Sequence, residues 1–270
     1  MSRAWFDVPA IQRRTLRARI LRRGVACAAA FALAFARPSF GQTAGQFWGT
    51  MTMTWLRSDR LSYELELEPK GLTDPAEGEP GWWSLDVTPN VEYALRQWLD
   101  LVGELATGYT SQTDDIESFE LSPRVGVRLH LTTQDLAAGL VGRERAPRYR
   151  IVLRNLVRVE ARNLFYNGNT KTETTVRFRN RFELQVPLNR RRVSDDGAAY
   201  ALTDWEWFIP LGDPEERFAN RQRVRAGLGY RRNLSWRFEA LYIWNRSRDT
   251  INESFHPSDH IVNLRVKRVF

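Results

Sequence analysis

The stretch Thr174–Leu188 alternates between two unlike rows. Thr174, Val176, Phe178, Asn180, Phe182, Leu184, Val186 and Leu188 form a mostly apolar row, and Thr175, Arg177, Arg179, Arg181, Glu183 and Gln185 form a charged and polar one. A period of two puts these rows on opposite faces of an extended strand. The run is long enough to cross a bilayer at a tilt, which takes roughly 9–11 residues.

The same pattern recurs along the chain. Phe47–Leu56, Leu61–Glu68, Trp83–Leu95, Trp98–Thr110, Phe119–Leu131, Arg150–Tyr166, Tyr200–Pro210, Phe218–Arg231, Ser235–Arg246 and His260–Phe270 all read as strands. Pro89 lies on an apolar row and predicts a bulge or an unpaired position. Thr132–Arg148 is the least regular part, and Asp135–Val141 could make one helical turn.

The N-terminus reads as an address. Arg13–Arg23 is basic, Gly24–Ala36 is apolar, and Ser39 and Gly41 are the small residues that suit cleavage before Gln42. That order is the one of a secretory signal, and the apolar run is short for a transmembrane helix. An inner-membrane anchor or a transit peptide is the competing reading. We therefore expect a signal peptide over 1–41 and one domain over 42–270.

The signal segment also explains the formal charge of +8. Residues 1–41 carry eight Arg against Asp7, so the rest of the chain is balanced to +1. Overall basicity is thus no argument for a nucleic-acid partner. The single cysteine, Cys27, lies inside the apolar run, so cleavage would leave a chain with none.

Alternation alone also fits a soluble β-sandwich. Four features favour a closed antiparallel transmembrane barrel. The strands run to ten or more residues, against about five or six in soluble sheets. Dense charged rows oppose continuous apolar ones, as lumen opposes lipid. Aromatic residues (Trp48, Trp55, Trp82, Trp83, Trp98, Tyr109, Tyr166, Tyr200, Tyr230 and Trp244) sit near strand ends, where interfacial girdles want them. Tight turns at 57–60, 96–97 and 232–234 alternate with longer loops at 69–81, 111–116, 211–217 and 247–259. Eleven strands can be counted, but single-chain bacterial barrels have even numbers, so about 12 are expected, with 10 the next alternative.

The chain ends on Phe270, with Val266, Leu264 and Val262 on its row, which resembles the terminal aromatic signal read by the barrel-assembly machinery; Arg268 departs from it. Gln46-Phe47-Trp48, Leu65–Pro69, Arg177–Pro187, Glu206 with Trp207, Asn220-Arg221, Gly227–Tyr230 and Phe270 together resemble the outer-membrane barrels grouped as domain of unknown function 2490. The resemblance spans the mature chain. It implies localisation in the bacterial outer membrane, with membrane lipid and the assembly machinery as partners, and no established activity.

If the apolar rows face lipid, the charged rows share one lumen. Glu64, Glu66, Glu68, Asp86, Glu92, Asp100 and Glu104 make an acidic wall. Arg154, Arg158, Arg162, Arg177, Arg179, Arg181, Arg221, Arg223 and Arg225 make a basic wall. Either the walls pair across a filled lumen, or water lies between them and a transverse field acts on polar solutes. Barrels of this size have a narrow bore, since wide aqueous channels need about sixteen strands.

The expected function is a narrow porin-like channel or structural barrel for small polar or ionic solutes, without catalysis, metal or cofactor. An outer-membrane lipid-modifying hydrolase is the first alternative. It would have to draw on His130, His256 or His260, with Ser254 and Asp259 near the last two. A soluble periplasmic β-sandwich binding module is the second. Gly227–Tyr230 lies within a strand and reads as a packing device, not a phosphate loop.

Overall fold

The computed structural model describes residues 44–74, 81–113, 117–133, 150–167, 172–212, 221–247 and 256–270. The expected signal peptide, its cleavage point and the helical turn at Asp135–Val141 lie outside these residues.

Eleven strands follow one another. They are β1 (Ala44–Leu56), β2 (Leu61–Asp74), β3 (Trp82–Arg96), β4 (Leu99–Gln112), β5 (Ser118–Thr132), β6 (Val152–Tyr166), β7 (Thr172–Pro187), β8 (Ala198–Pro210), β9 (Arg221–Arg231), β10 (Trp236–Ser247) and β11 (His256–Val269). Each pairs antiparallel with its chain neighbours, and β1 pairs with β11 to close a barrel. No helix appears among these elements.

The expectation of 12 strands, or 10, is therefore corrected to eleven. An odd number of alternating strands leaves the first and last pointing the same way. The closing pair is accordingly parallel, in unbroken register from Ala44↔Asp259 to Thr54↔Val269. Parallel pairing is slightly weaker per residue, but it removes both free edges. Phe270 continues the seam, its N–H donating to the Thr54 carbonyl at 2.9 Å.

Pro89 does not make a bulge. It pairs with Leu65 on the β2 side, while the β3–β4 register keeps its phase across Thr88 and Pro89, where pairing opens. The missing N–H costs a rung rather than a residue of register. Pro123 behaves alike, paired with Leu105 and opening the ladder toward β6.

The tight connections 57–60, 97–98 and 232–235 share a rim with Phe270. The same rim receives 133–151 and 188–197, so loop length sorts the two rims less cleanly than the sequence reading expected. Loop 188–197 turns through Gly197, whose φ of 70° is the left-handed conformation that glycine adopts at little cost.

The alternation sorts side chains as the strand rule demands. Large apolar groups stand outward and exposed, among them Phe47, Met51, Trp83, Leu101, Leu105, Phe182, Trp205 and Leu264, with Val125 reaching 68%. The outward positions of β1, of β2 up to Thr73 and of β3 to β9 carry no Asp, Glu, Lys or Arg. Two outward asparagines on this surface satisfy one another, Asn155 Nδ2 donating to Asn180 Oδ1 at 2.5 Å. Aromatic pairs mark both rims: Trp83 with Tyr109 and Phe119 with Phe165 at one, Trp55 with Phe270 and Trp236 with Phe238 at the other.

Four expected girdle residues are corrected. Trp48, Trp82, Tyr166 and Tyr200 fall on inward positions, and Trp48 and Tyr200 are buried. A strand end supplies either face, and only the parity of the position decides which.

Candidate functional site

The inward rows enclose a cavity of about 560 Å³. Of the expected basic wall, Arg154, Arg158, Arg162, Arg177, Arg179, Arg181, Arg221, Arg223 and Arg225 all line it. Of the expected acidic wall, Glu64, Glu66, Glu68, Asp86, Glu92 and Glu104 line it, while Asp100 is held beside His130.

The division into one acidic and one basic wall does not survive. Glu160 and Glu206 are buried among the arginines. Glu160 receives Arg177 Nε at 2.6 Å and Arg179 Nη1 at 2.5 Å, and Arg158 Nε at 2.9 Å and Arg124 Nε at 3.4 Å lie within ion-pair distance of it. Glu206 receives Arg179 Nη2 at 2.6 Å and Arg225 Nη2 at 3.0 Å. Asp204 takes Arg225 Nε at 2.6 Å and Arg181 Nη2 at 3.0 Å. Glu183 takes Arg154 at 2.9 Å and Arg181 at 2.8 Å. The sequence reading missed these four carboxylates as site residues. They lie on the same alternating rows as the arginines, so parity would have found them.

Charged partners also bridge strands elsewhere, some adjacent and some with one strand between them. Arg158 Nη1 reaches both oxygens of Glu104 at 2.8 and 2.7 Å, and Arg162 grips Glu120 through Nε and Nη2 at 2.9 and 2.8 Å. Lys70 joins Glu68, at 2.9 Å, to Asp86. Lys267 meets Glu64 at 2.6 Å, and Arg128 meets Glu92. Charges removed from water need such partners, because a lone buried ion costs several kcal/mol, on the order of the whole stability of many domains.

Two aromatic rings stand inside this lattice. Phe208 lies under the guanidiniums of Arg179, Arg177 and Arg223, with their carbons 4.4, 4.9 and 5.3 Å from its centroid. Trp48 takes Arg223 at 5.1 Å and Lys70 at 4.7 Å, and its Nε1 donates to Gln46 Oε1 at 2.9 Å. Cation–ring contacts let planar guanidiniums stack while keeping their donors for carboxylates.

Glu92, Asp100 and His130 bring one ligand atom each within 4.8 Å of the others. His130 Nε2 lies 2.5 Å from Asp100 Oδ2, and Arg128 engages Glu92, so ion pairing already accounts for the cluster. His260 is on an outward position, its Nδ1 bonded to the Tyr242 hydroxyl. His256 pairs through its backbone with Ser247, and Ser254 lies outside the described residues.

The arrangement is a polar chamber walled by fixed charges of both signs. It can hold water and orient small polar or charged molecules. No curated protein and no solved structure matches the chain. The family described as protein of unknown function (DUF2490) matches residues 45–256, from the first strand to the start of the last. The chain belongs to this family, as a closed β-barrel of eleven strands.

Proposed function

We propose that the protein is exported by the 1–41 signal segment and sits in the bacterial outer membrane as a narrow, charged conduit for small polar or ionic solutes. The observation that carries this reading is the outer surface. Exposed apolar side chains cover β1 to β9, with no charged outward residue among those whose side chains are described. In water such a surface would be a large aggregation hazard, whereas a bilayer covers it. Aromatic pairs at both rims match the two interfaces, and closure leaves no strand edge unsatisfied in lipid.

The charged chamber supports the conduit part of the reading. A solute that exchanges its hydration for guanidinium and carboxylate contacts can enter where an apolar one cannot. The ion pairs of Glu160 and Glu206 take up space inside the barrel, so the conduit we propose would pass only small species.

Two measurements test the proposal. Unboiled protein should keep its fold in SDS and migrate faster than boiled protein. Release by osmotic shock alone, without detergent, would rule out the membrane location. In planar bilayers the refolded protein should give small, steady conductance steps, and a persistently silent membrane would rule out the conduit.

A further inference from the structure

Loop 188–197 folds over the end of the lumen at the rim that carries Phe270. Val193 packs inward with Tyr200, Leu202 and Leu241, and the Arg150 N–H donates to the Arg191 carbonyl at 2.9 Å. Beneath the loop lies a second cavity of about 200 Å³. Five arginines line it: Arg150, Arg154, Arg192, Arg231 and Arg237. Among the described residues, no Asp or Glu does.

This differs from the main chamber, where carboxylates are interleaved with the guanidiniums. Arg154 gives Nη1 to Glu183 at 2.9 Å, but its Nε is buried without an acceptor. Arg231 gives Nη2 to the Leu234 carbonyl at 3.4 Å, and its Nε is likewise buried without an acceptor. Arg237 has its guanidinium over the Tyr200 ring, 5.9 Å from the centroid, and makes no ion pair among the described residues. Buried donors without acceptors, and guanidiniums that converge with no carboxylate among the described lining residues, both cost free energy. A multivalent oxyanion removes both costs at once, since guanidinium forks match its oxygens.

One further group narrows the ligand. Gln185 is 1% exposed and lines the same cavity. Its Nε2 donates to Glu183 Oε1 at 2.8 Å, which orients the amide and leaves Oε1 buried with no donor. An oxyanion that still carries an O–H would satisfy it. Inorganic phosphate does so near neutral pH, where its dianion keeps one proton, and a phosphomonoester does so below its second pKa of about 6, whereas sulfate has no proton to give. We propose that this pocket is a phosphate site that takes the phosphoryl group in its monoprotonated form, held by Arg154, Arg231 and Arg237 and selected by Gln185. Arg154, Gln185 and Arg237 also line the main chamber, so the bound phosphate sits at that chamber's end.

Isothermal titration of the refolded full barrel in detergent tests the site, with inorganic phosphate, glycerol 3-phosphate and sulfate compared at one ionic strength and at about pH 6, where the monoester is still partly monoprotonated. Phosphate should bind at least tenfold more tightly than sulfate. Glycerol 3-phosphate binding comparably would extend the site to phosphoryl groups of larger solutes and headgroups, while binding of inorganic phosphate alone would confine it to the free ion. Arg231→Gln with Arg237→Gln should weaken phosphate tenfold or more, and the paired Lys substitutions should keep part of the affinity, with fold checked by gel mobility. Gln185→Met should erase most of the preference over sulfate while sulfate affinity stays unchanged. Phosphate heats no larger than those of sulfate, or undiminished binding by the folded Gln variants, would overturn the proposal. Chloride conductance of the same preparation keeps it apart from the conduit reading: conductance without phosphate binding sinks only this site, and binding without conductance sinks only the conduit.

Discussion

Gly229 lies under the ring of Tyr200. The two are cross-strand partners on β8 and β9, and a Cβ at Gly229 would stand 2.1 Å from Tyr200 Cζ. The missing side chain is therefore the space the ring fills. The ring in turn covers bare backbone, carries Arg237 on its face and donates its hydroxyl to Glu239 at 2.6 Å. Gly229→Ala should force the ring out and destabilise the barrel by about 1–3 kcal/mol. Urea unfolding in lipid vesicles should show the midpoint fall, and an unchanged midpoint would mean the ring has another place to go.

Glu160 is the most heavily paired carboxylate of the lumen. Glu160→Gln would leave Arg177, Arg179 and Arg158 short of counter-charge, at a cost of about 3–5 kcal/mol for breaking a buried pair from one side. Adding Arg179→Gln should recover part of that loss, because the second change removes one of the stranded charges. Unfolding midpoints of both singles and the double measure the coupling, and strict additivity would show that the pair is not coupled.

Neutralising Arg177, Arg179 and Arg181 together would free Glu160, Glu183 and Glu206 from their closest cations and leave Asp204 with Arg225. A conducting barrel should then shift toward cation selectivity, read as a change in reversal potential across a salt gradient. No shift in a conducting variant would place these residues off the path.

Val125 is 68% exposed on the outward row of β5. In water, Val125→Arg at such a site would be near neutral, within about 0.5 kcal/mol. At the bilayer midplane it should cost about 2–4 kcal/mol. Folding equilibria in vesicles separate the two, and a neutral result there would argue against lipid at this surface.

Phe270 stacks on Trp55 across the parallel seam, with centroids 5.5 Å apart and ring planes at 7°. Arg268 lies over the same Phe270 ring at 4.6 Å and over Trp236 at 4.8 Å. The departure of Arg268 from an apolar terminal row thus has a local cause, a cation held between two rings. Phe270→Ala should remove the stack, worth about 0.5–1.5 kcal/mol beyond burial, and lower the yield of heat-modifiable protein in vesicle folding assays. A full yield would show that the seam closes without it.

Much of the barrel is legible in the chain because parity is a local property. Val176 and Arg177 take opposite faces whatever the rest of the molecule does, since the pleat alone puts them there. That is why nearly all the expected luminal residues line the chamber, and why Trp205 stands outward while Asp204 and Glu206 turn in. The misplacement of Trp48, Trp82, Tyr166 and Tyr200 came from reading strand ends by residue type instead of parity.

Long-range pairing is another matter. The strand count of eleven was present in the alternation, but a count does not say that β1 and β11 can meet in parallel, which depends on the register accumulated around the whole wall. The sequence by itself determined which face each side chain takes, because that follows from two neighbouring peptide units. Only the tertiary structure decided that Glu160 answers Arg177 and Arg179, that the acidic and basic walls are interleaved, and that loop 188–197 closes a pocket lined by Arg154, Arg231 and Arg237. These contacts join residues far apart in the chain, and curvature, stagger and loop placement bring them within ångströms of one another.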